Sequence, residues 1–219
     1  MLLLSPNGQH SLGSNRDKYI MDPAATTAEL LKWFEFLGAL CAMALLQQDT
    51  VLSLNLCSVV WKQLVQSAPD HTDLAGYDEM ACQSLLKMAD CEAEGIDEGL
   101  FGDLFFETFT AQLSNGATVE VCEGGSNLDV TFANRRRFCD LVMRARLHEG
   151  HAQAHAMLRG LNALLPARLL PLFTHTELEL MTCGAPDIDI SILRKHTRYG
   201  VSVDPAKDEH IALLWRVLE

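Results

Sequence analysis

Basic charge is scarce in this sequence: 17 Lys and Arg stand against 29 Asp and Glu, a formal net charge of -12 with a pI near 5.0. A nucleic-acid phosphate backbone is repelled by such a balance unless the basic side chains are segregated. They are not, for the one dense run, Arg135-Arg136-Arg137 followed by Arg144 and Arg146, reads as a solvated helix face. Long apolar runs are missing too. The most apolar stretch, Leu30 to Leu46, is interrupted by Lys32 and Glu35 and falls short of the roughly 20 residues that span a bilayer. Met1-Leu2-Leu3-Leu4 runs straight into Ser5-Pro6-Asn7-Gly8, with neither the charged leader nor the apolar stretch of a signal peptide, so secretion is not expected. The seven cysteines show no C-x-x-C spacing and are odd in number, which points to reduced thiols in the cytoplasm or nucleus. No glycine-rich phosphate loop of either familiar spacing occurs, which leaves nucleotide chemistry unsupported. Repeats and low-complexity segments are also lacking.

What is present is a globular composition. At 219 residues with 48% apolar content, the chain is long enough for one large domain or two small ones around a buried core. Turn residues from Ser5 to Gly8 and from Gly13 to Arg16 make a looped lead-in. Thr26 and Glu29 have capping-box spacing ahead of Leu30, Leu31, Phe34, Leu37, Cys41 and Leu45, so a long buried helix follows. Gly38, Ala39, Ala42 and Ala44 keep its surface small enough for another helix to approach closely. Val51 to Leu56 alternates like a short strand or extended arm, and Val59 to Val65 returns to helical spacing around Trp61. Both Trp61 and Phe36 are expected in the core.

After the break at Ser67 to Asp70, a helix is predicted from Thr72 or Asp73 through Met88, then a loop from Cys91 to Gly102. Asn115-Gly116 between the β-prone runs Phe105–Leu113 and Ala117–Cys122 predicts a hairpin. A short strand at Asp129 to Phe132 precedes a helical region from Asn134 to Leu165, with kinks near Gly150 and Gly160. Short helices at Pro166–Phe173 and Thr176–Met181 lead to Cys183-Gly184-Ala185-Pro186, a linker or hinge. Helical pieces at Asp189–His196 and Ala206–Leu218 complete the pattern.

Two chemistries have candidate residues in this sequence. His148, His151 and His155 fall at helical offsets that could bring three imidazoles to one Zn2+. Yet His148-Glu149-Gly150-His151 is one residue short of the H-E-x-x-H spacing and no fourth ligand stands nearby, so no metal site and no cofactor is expected. Nucleophilic catalysis needs a thiolate beside a base in an exposed, electropositive pocket. No cysteine advertises that setting; Cys41 and Cys139 read as core residues.

Several strings go further. Leu4-Ser5-Pro6-Asn7-Gly8 with Asn15-Arg16-Asp17-Lys18-Tyr19, Phe36-Leu37-Gly38, and Leu52-Ser53-Leu54-Asn55-Leu56 with Val60-Trp61-Lys62-Gln63-Leu64 resemble stretches of HECT-type ubiquitin ligases, especially the HERC-like branch. So do Val130-Thr131-Phe132 with Asn134-Arg135, Arg146-Leu147-His148-Glu149, and Leu169-Leu170-Pro171-Leu172-Phe173-Thr174. Glu177 to Gly184, Pro186-Asp187-Ile188-Asp189 and Leu214-Trp215-Arg216-Val217-Leu218-Glu219 complete a collinear likeness along nearly the whole chain.

The resemblance implies a mainly α fold with a small α+β subdomain, the N-lobe of that family. Residues 1–67 and 150–183 would form its large subdomain, 68–149 the small subdomain that docks a ubiquitin-conjugating enzyme, 184–186 the hinge and 187–219 the start of the C-lobe. Partners would be the conjugating enzyme, ubiquitin and protein substrates, with ubiquitin passed to a substrate lysine through a cysteine thioester. By likeness to the family's docking groove, Phe138 and Val142 would line it, joined by Leu85 and, at a less certain register, Phe105 and Phe106. The alternative for Phe138 and Val142 is ordinary helix core, since they stand i, i+4 on one apolar stripe. Gly184, Ala185 and Pro186 match the hinge, expected to be mobile, with Leu193, Leu213, Leu214 and Trp215 left without partners. The family's T-C-F string around its transfer cysteine does not occur, and Thr182-Cys183-Gly184 is not that string. The chain by itself is therefore expected to be inactive. The rival readings are a binding module without transfer and an unrelated helical Cys/His enzyme.

Overall fold

Asn7 shows how the turn-rich lead-in is tied down. Its buried side chain donates to the carbonyls of Ala75 (3.0 Å) and Ser14 (3.1 Å) and accepts from the Glu79 amide (2.8 Å), so distant turns share one polar residue. These contacts come from a computed structural model that describes residues 1–47, 50–185, 189–200 and 208–218.

The chain is mostly helical with two small sheets, as the sequence predicts. Strand β1 (Leu2–Leu4), helix α1 (Pro6–His10) and strand β2 (Tyr19–Met21) open it, with β1 antiparallel to β2 in the register Leu2↔Met21. Helices α2 (Ala28–Leu46), α3 (Ser58–Leu64), α4 (His71–Tyr77), α5 (Glu79–Ala89) and α6 (Glu98–Leu104) precede a hairpin of β3 (Thr110–Gln112) and β4 (Thr118–Glu120). Then come α7 (Arg135–Leu147), α8 (His151–Leu164), α9 (His175–Cys183), α10 (Ile190–His196) and α11 (Glu209–Leu218). Residues Met1–Gly184 form one compact unit and Ala185–Glu219 a second.

In the first unit α2 lies along α8, while α3 packs on α8, α9 on α2, and α3 and α9 on each other. The small residues of α2 serve the close approach expected of them. A Cβ on Gly38 would stand 2.0 Å from the Met157 carbonyl oxygen, and one on Gly160 would stand 1.8 Å from that of Glu35. Each helix thus presents a glycine to the backbone of the other. Gly160 is consequently a packing residue inside an uninterrupted helix rather than a kink, whereas Gly150 does mark the break between α7 and α8. Trp61, Phe34, Leu64 and Met157 are fully buried around this contact.

Several expectations need correction. Phe36 is 55% exposed beside Trp33, their rings edge to face at 6.4 Å, because α2 is apolar on more of its circumference than α8 covers. Thr27, not Thr26, caps α2, accepting from the Leu30 amide. The helix expected from Thr72 to Met88 is two, since Asp78 ends α4 and its side chain accepts from the Ala81 amide to start α5. The stretch from Cys91 to Gly102 is not loop: Cys91–Glu94 makes a 3-10 turn and Asp97 caps α6, accepting from the Leu100 amide. Asp129 to Phe132 contributes only a single bridge, Thr108↔Asp129. In the second unit Trp215 is buried and its indole donates to the Tyr199 hydroxyl (2.9 Å), with the Arg194 guanidinium over its ring. Leu193, Leu213 and Leu214 are exposed.

Candidate functional site

The predicted hairpin forms where Asn-Gly places it. Gly116 takes φ +82°, which a side chain would strain, the Leu113 amide donates to the Ala117 carbonyl (2.8 Å), and Asn115 Oδ1 accepts from the Ala117 amide. Its first strand lies on α7, with Ala111 buried and the ring of the preceding Phe109 edge-on to Phe138 at 5.4 Å.

The hairpin tip is also held by charge. Arg146 near the end of α7 donates to Asp78 (2.7 Å) and to the Ser114 hydroxyl (3.1 Å), and its Nε stands 3.3 Å from Glu149. The Ser114 hydroxyl and amide both donate to the Glu149 carboxylate. Tyr77 donates to the Arg146 carbonyl (2.8 Å). Burial raises the Glu149 carboxyl above its ordinary value even though Arg146 and Ser114 pull it down. Burial likewise holds the Tyr77 phenol well above its usual value.

At the other end of α7, Arg135 lies over the Phe132 ring at 3.9 Å, and its guanidinium, like that of Arg136, pairs with Glu92 (2.8 and 2.9 Å). That fastens the acidic segment, and Phe101 of α6 inserts beside Phe105 (4.6 Å) and Phe132 (5.9 Å). Beside Phe101 on α6, and in the chain after it, apolar side chains stay open: Leu100 is 49%, Leu104 57% and Phe106 82% exposed. Exposed aromatic and leucine side chains gathered in one short segment are the kind of feature that marks a protein contact.

The residues singled out in the sequence are thus separated by depth. Phe138 and Val142 lie on the inner stripe of α7, each under a tenth exposed, and Phe105 is half-buried against Phe101. Leu85 is also largely buried but lines an open groove of about 450 Å³ between α5 and α7, with Leu86, Ala89, Cys139 and Met143. Phe106 alone of the five projects to solvent. Leu100 and Leu104 were missed because their segment reads as acidic loop; the Asp97 cap followed by leucines at i, i+4 was the available signal.

For five of the seven cysteines burial works against an activated thiolate. Burial pushes Cys41 and Cys57 up to about 12 and Cys139 to about 11, and raises Cys82 and Cys183, the reverse of what a nucleophile needs. Cys183 ends α9 with its thiol donating to the Leu54 carbonyl. Gly184, at φ +79°, closes that helix by donating to the Leu180 carbonyl. The division between the two units falls between Gly184 and Ala185; Pro186 lies outside the described residues. Among the described residues, no group of three or more His, Cys, Asp and Glu side chains is set to hold a metal ion, and no helix is long and apolar enough to cross a membrane.

The family model described as HECT-domain (ubiquitin-transferase) matches residues 3–219. E3 ubiquitin-protein ligase HERC2 of Homo sapiens is 33% identical over 223 residues, covering all of this chain and 4% of that protein. Probable E3 ubiquitin-protein ligase HECTD4 of Homo sapiens is 29% identical, covering all of this chain and 6% of that protein. E3 ubiquitin-protein ligase RSP5 of Emericella nidulans is 26% identical over 96% of this chain and 25% of its own length. The chain spans a quarter or less of these relatives. Matched along nearly its full length by the family model, and by a relative at one-third identity, the chain belongs to the HECT-domain (ubiquitin-transferase) family and is of HERC-like type.

Proposed function

We propose that this chain docks a ubiquitin-conjugating enzyme for the transfer of ubiquitin to substrate lysines, with Phe106 as the aromatic anchor and Leu100 and Leu104 beside it. The observation that carries the reading is the 82% exposure of Phe106 on a segment held in place from behind by Phe101 and Phe105. In this reading Phe138, Val142 and Leu85 support the docking surface from beneath, and Gly184 to Pro186 is the hinge. Transfer would use a thioester on a cysteine other than these seven, since five of their thiols are raised by burial, Cys91 is itself fully buried, and Cys122 stands in Val121-Cys122-Glu123 rather than in the family's T-C-F string.

A small apolar surface should give a transient complex, in the micromolar range of about -8 kcal/mol. Phe106→Ala removes an anchor whose loss costs roughly 2 kcal/mol in such contacts. Affinity for a responsive conjugating enzyme, measured by titration calorimetry across a panel, should fall at least about tenfold with circular dichroism unchanged. An unaltered affinity would refute Phe106 as anchor. Incubation with activating enzyme, conjugating enzyme and ubiquitin should leave no reductant-sensitive adduct on this chain, and such an adduct on any of its cysteines would refute the second part.

A further inference from the structure

The docking reading leaves one cluster of chemistry unused. His151 and His155 stand one turn apart on the exposed side of α8, their rings near parallel at 6.3 Å, and His148 lies 6.5 Å from His151. All three line an open groove of about 600 Å³ with Gln63, Gln66 and Arg159. No carboxylate lines that groove; its strongest ligating atoms are imidazole nitrogens, beside neutral amide oxygens, a set that suits Zn2+, Ni2+ and Cu2+ rather than Mg2+ or Ca2+.

We propose that His151 and His155 form a chelating pair for one divalent transition-metal ion, with Arg159 as an intramolecular competitor. The geometry is near but not closed. With metal–nitrogen bonds of about 2.0–2.1 Å in a tetrahedral site, two ligating rings lie roughly 5 Å apart, centre to centre. Both side chains are exposed, so side-chain rotation can supply the remaining closure. The helix holds the pair at i, i+4, on one face, and the groove leaves room for water in the other coordination positions. Three imidazoles are not brought to one point, which is why the site is a pair.

Arg159 sets the obstacle. Its Nη1 donates to His155 Nδ1 at 3.2 Å, while Nη2 stands 3.5 Å from the Glu35 carboxylate. A guanidinium can only donate, so neutral His155 carries its proton on Nε2 while that bond lasts. Metal binding must displace Arg159 from Nδ1, or free that nitrogen to take the proton from Nε2; Glu35 offers the released guanidinium a partner. His148 needs no such change. Its Nδ1 is 2.9 Å from the Arg144 carbonyl, the arrangement that leaves the other ring nitrogen outward with its lone pair.

The test is titration of the whole chain with ZnCl2 and with CuCl2, followed by calorimetry and by the imidazole resonances of the eight histidines. Tighter binding of Cu2+ than Zn2+ is expected. His151→Ala and His155→Ala should each weaken it roughly tenfold or more, and Arg159→Gln should strengthen it by about threefold or more, because it frees a ligand. His148→Ala should leave it within about threefold of the parent, as the proposed pair does not include it. These residues are exposed or half-exposed, and circular dichroism checks that each variant folds. Zn2+-dependent shifts confined to His151 and His155 support the pair. An undiminished affinity in His151→Ala, weaker binding in Arg159→Gln, or metal uptake at the cysteines would overturn it.

Discussion

The helix pair α2–α8 and the hairpin-bearing region around α7 are held together by different means. In the first, two helices meet at glycines, and the contact is backbone against side-chain-free backbone. In the second, a short hairpin is fixed by an aromatic edge contact at Phe109–Phe138 and by the buried Arg146, Asp78, Glu149 and Ser114 network. The first arrangement is sensitive to added volume, because interiors are close-packed. The second is sensitive to a lost partner, because an unpaired buried charge costs more than the pair gains.

Trp61→Ala gives the largest expected effect, since this fully buried side chain anchors the helical half. Truncation should cost the upper part of the roughly 3–5 kcal/mol seen for buried aromatics. A urea midpoint shift worth less than about 1 kcal/mol would contradict its place in the core.

Arg146→Ala probes the other half and should cost roughly 3 kcal/mol, because it leaves Asp78 and Glu149 together without their cation. Its pH dependence has a defined sign. Burial already raises the Glu149 carboxyl, and losing Arg146 raises it further. A group whose folded-state pKa lies above its unfolded value favours the fold at low pH and loses that contribution as pH rises through the folded value. The destabilisation should therefore be smaller near pH 5 than near pH 8, and a loss independent of pH would break the contrast between the two regions.

Gly160→Ala comes next. The new methyl would meet the Glu35 carbonyl oxygen, and relieving that overlap means separating α2 from α8 at a cost of about 1–3 kcal/mol. Gly102→Ala serves as the control, because a Cβ there meets nothing within 4 Å; equal effects of the two changes would remove the case for a glycine-dependent contact.

Asp70 should show the smallest effect. Its carboxylate caps α4, and hydrogen bonds from Thr72, chiefly, together with Lys62 lower it to about 2. A lowered folded-state pKa adds stability above the ordinary value of 3.8 that is lost as pH falls toward about 2. Because its side chain is 53% exposed, the contribution is a few tenths of a kcal/mol. Asp70→Asn, which keeps the cap, should lose that acid dependence in melts between pH 5 and pH 2.

Some of this molecule was written locally. Asn115-Gly116 specified the hairpin because few dipeptides tolerate its backbone, and the spacing around Trp61 specified a buried helix because apolar side chains repeat on one face. The collinear strings from Leu4 to Glu219 were enough to assign the family. Other features depended on partners distant in the chain. Phe36 was misjudged because a periodic pattern shows which residues share a face of α2 but not how much of it a neighbour covers. The acidic segment after Cys91 folds because Arg135 and Arg136 reach Glu92 and Phe101 finds two rings, contacts absent from any short window of sequence. The same holds for the candidate site: resemblance picked out Phe138, Val142, Leu85, Phe105 and Phe106 together, and packing turned the first three inward and left Phe106 in solvent. Turn and cap preferences act over a few bonds and can be read in order, whereas exposure is settled by which surfaces meet when the whole chain closes on itself.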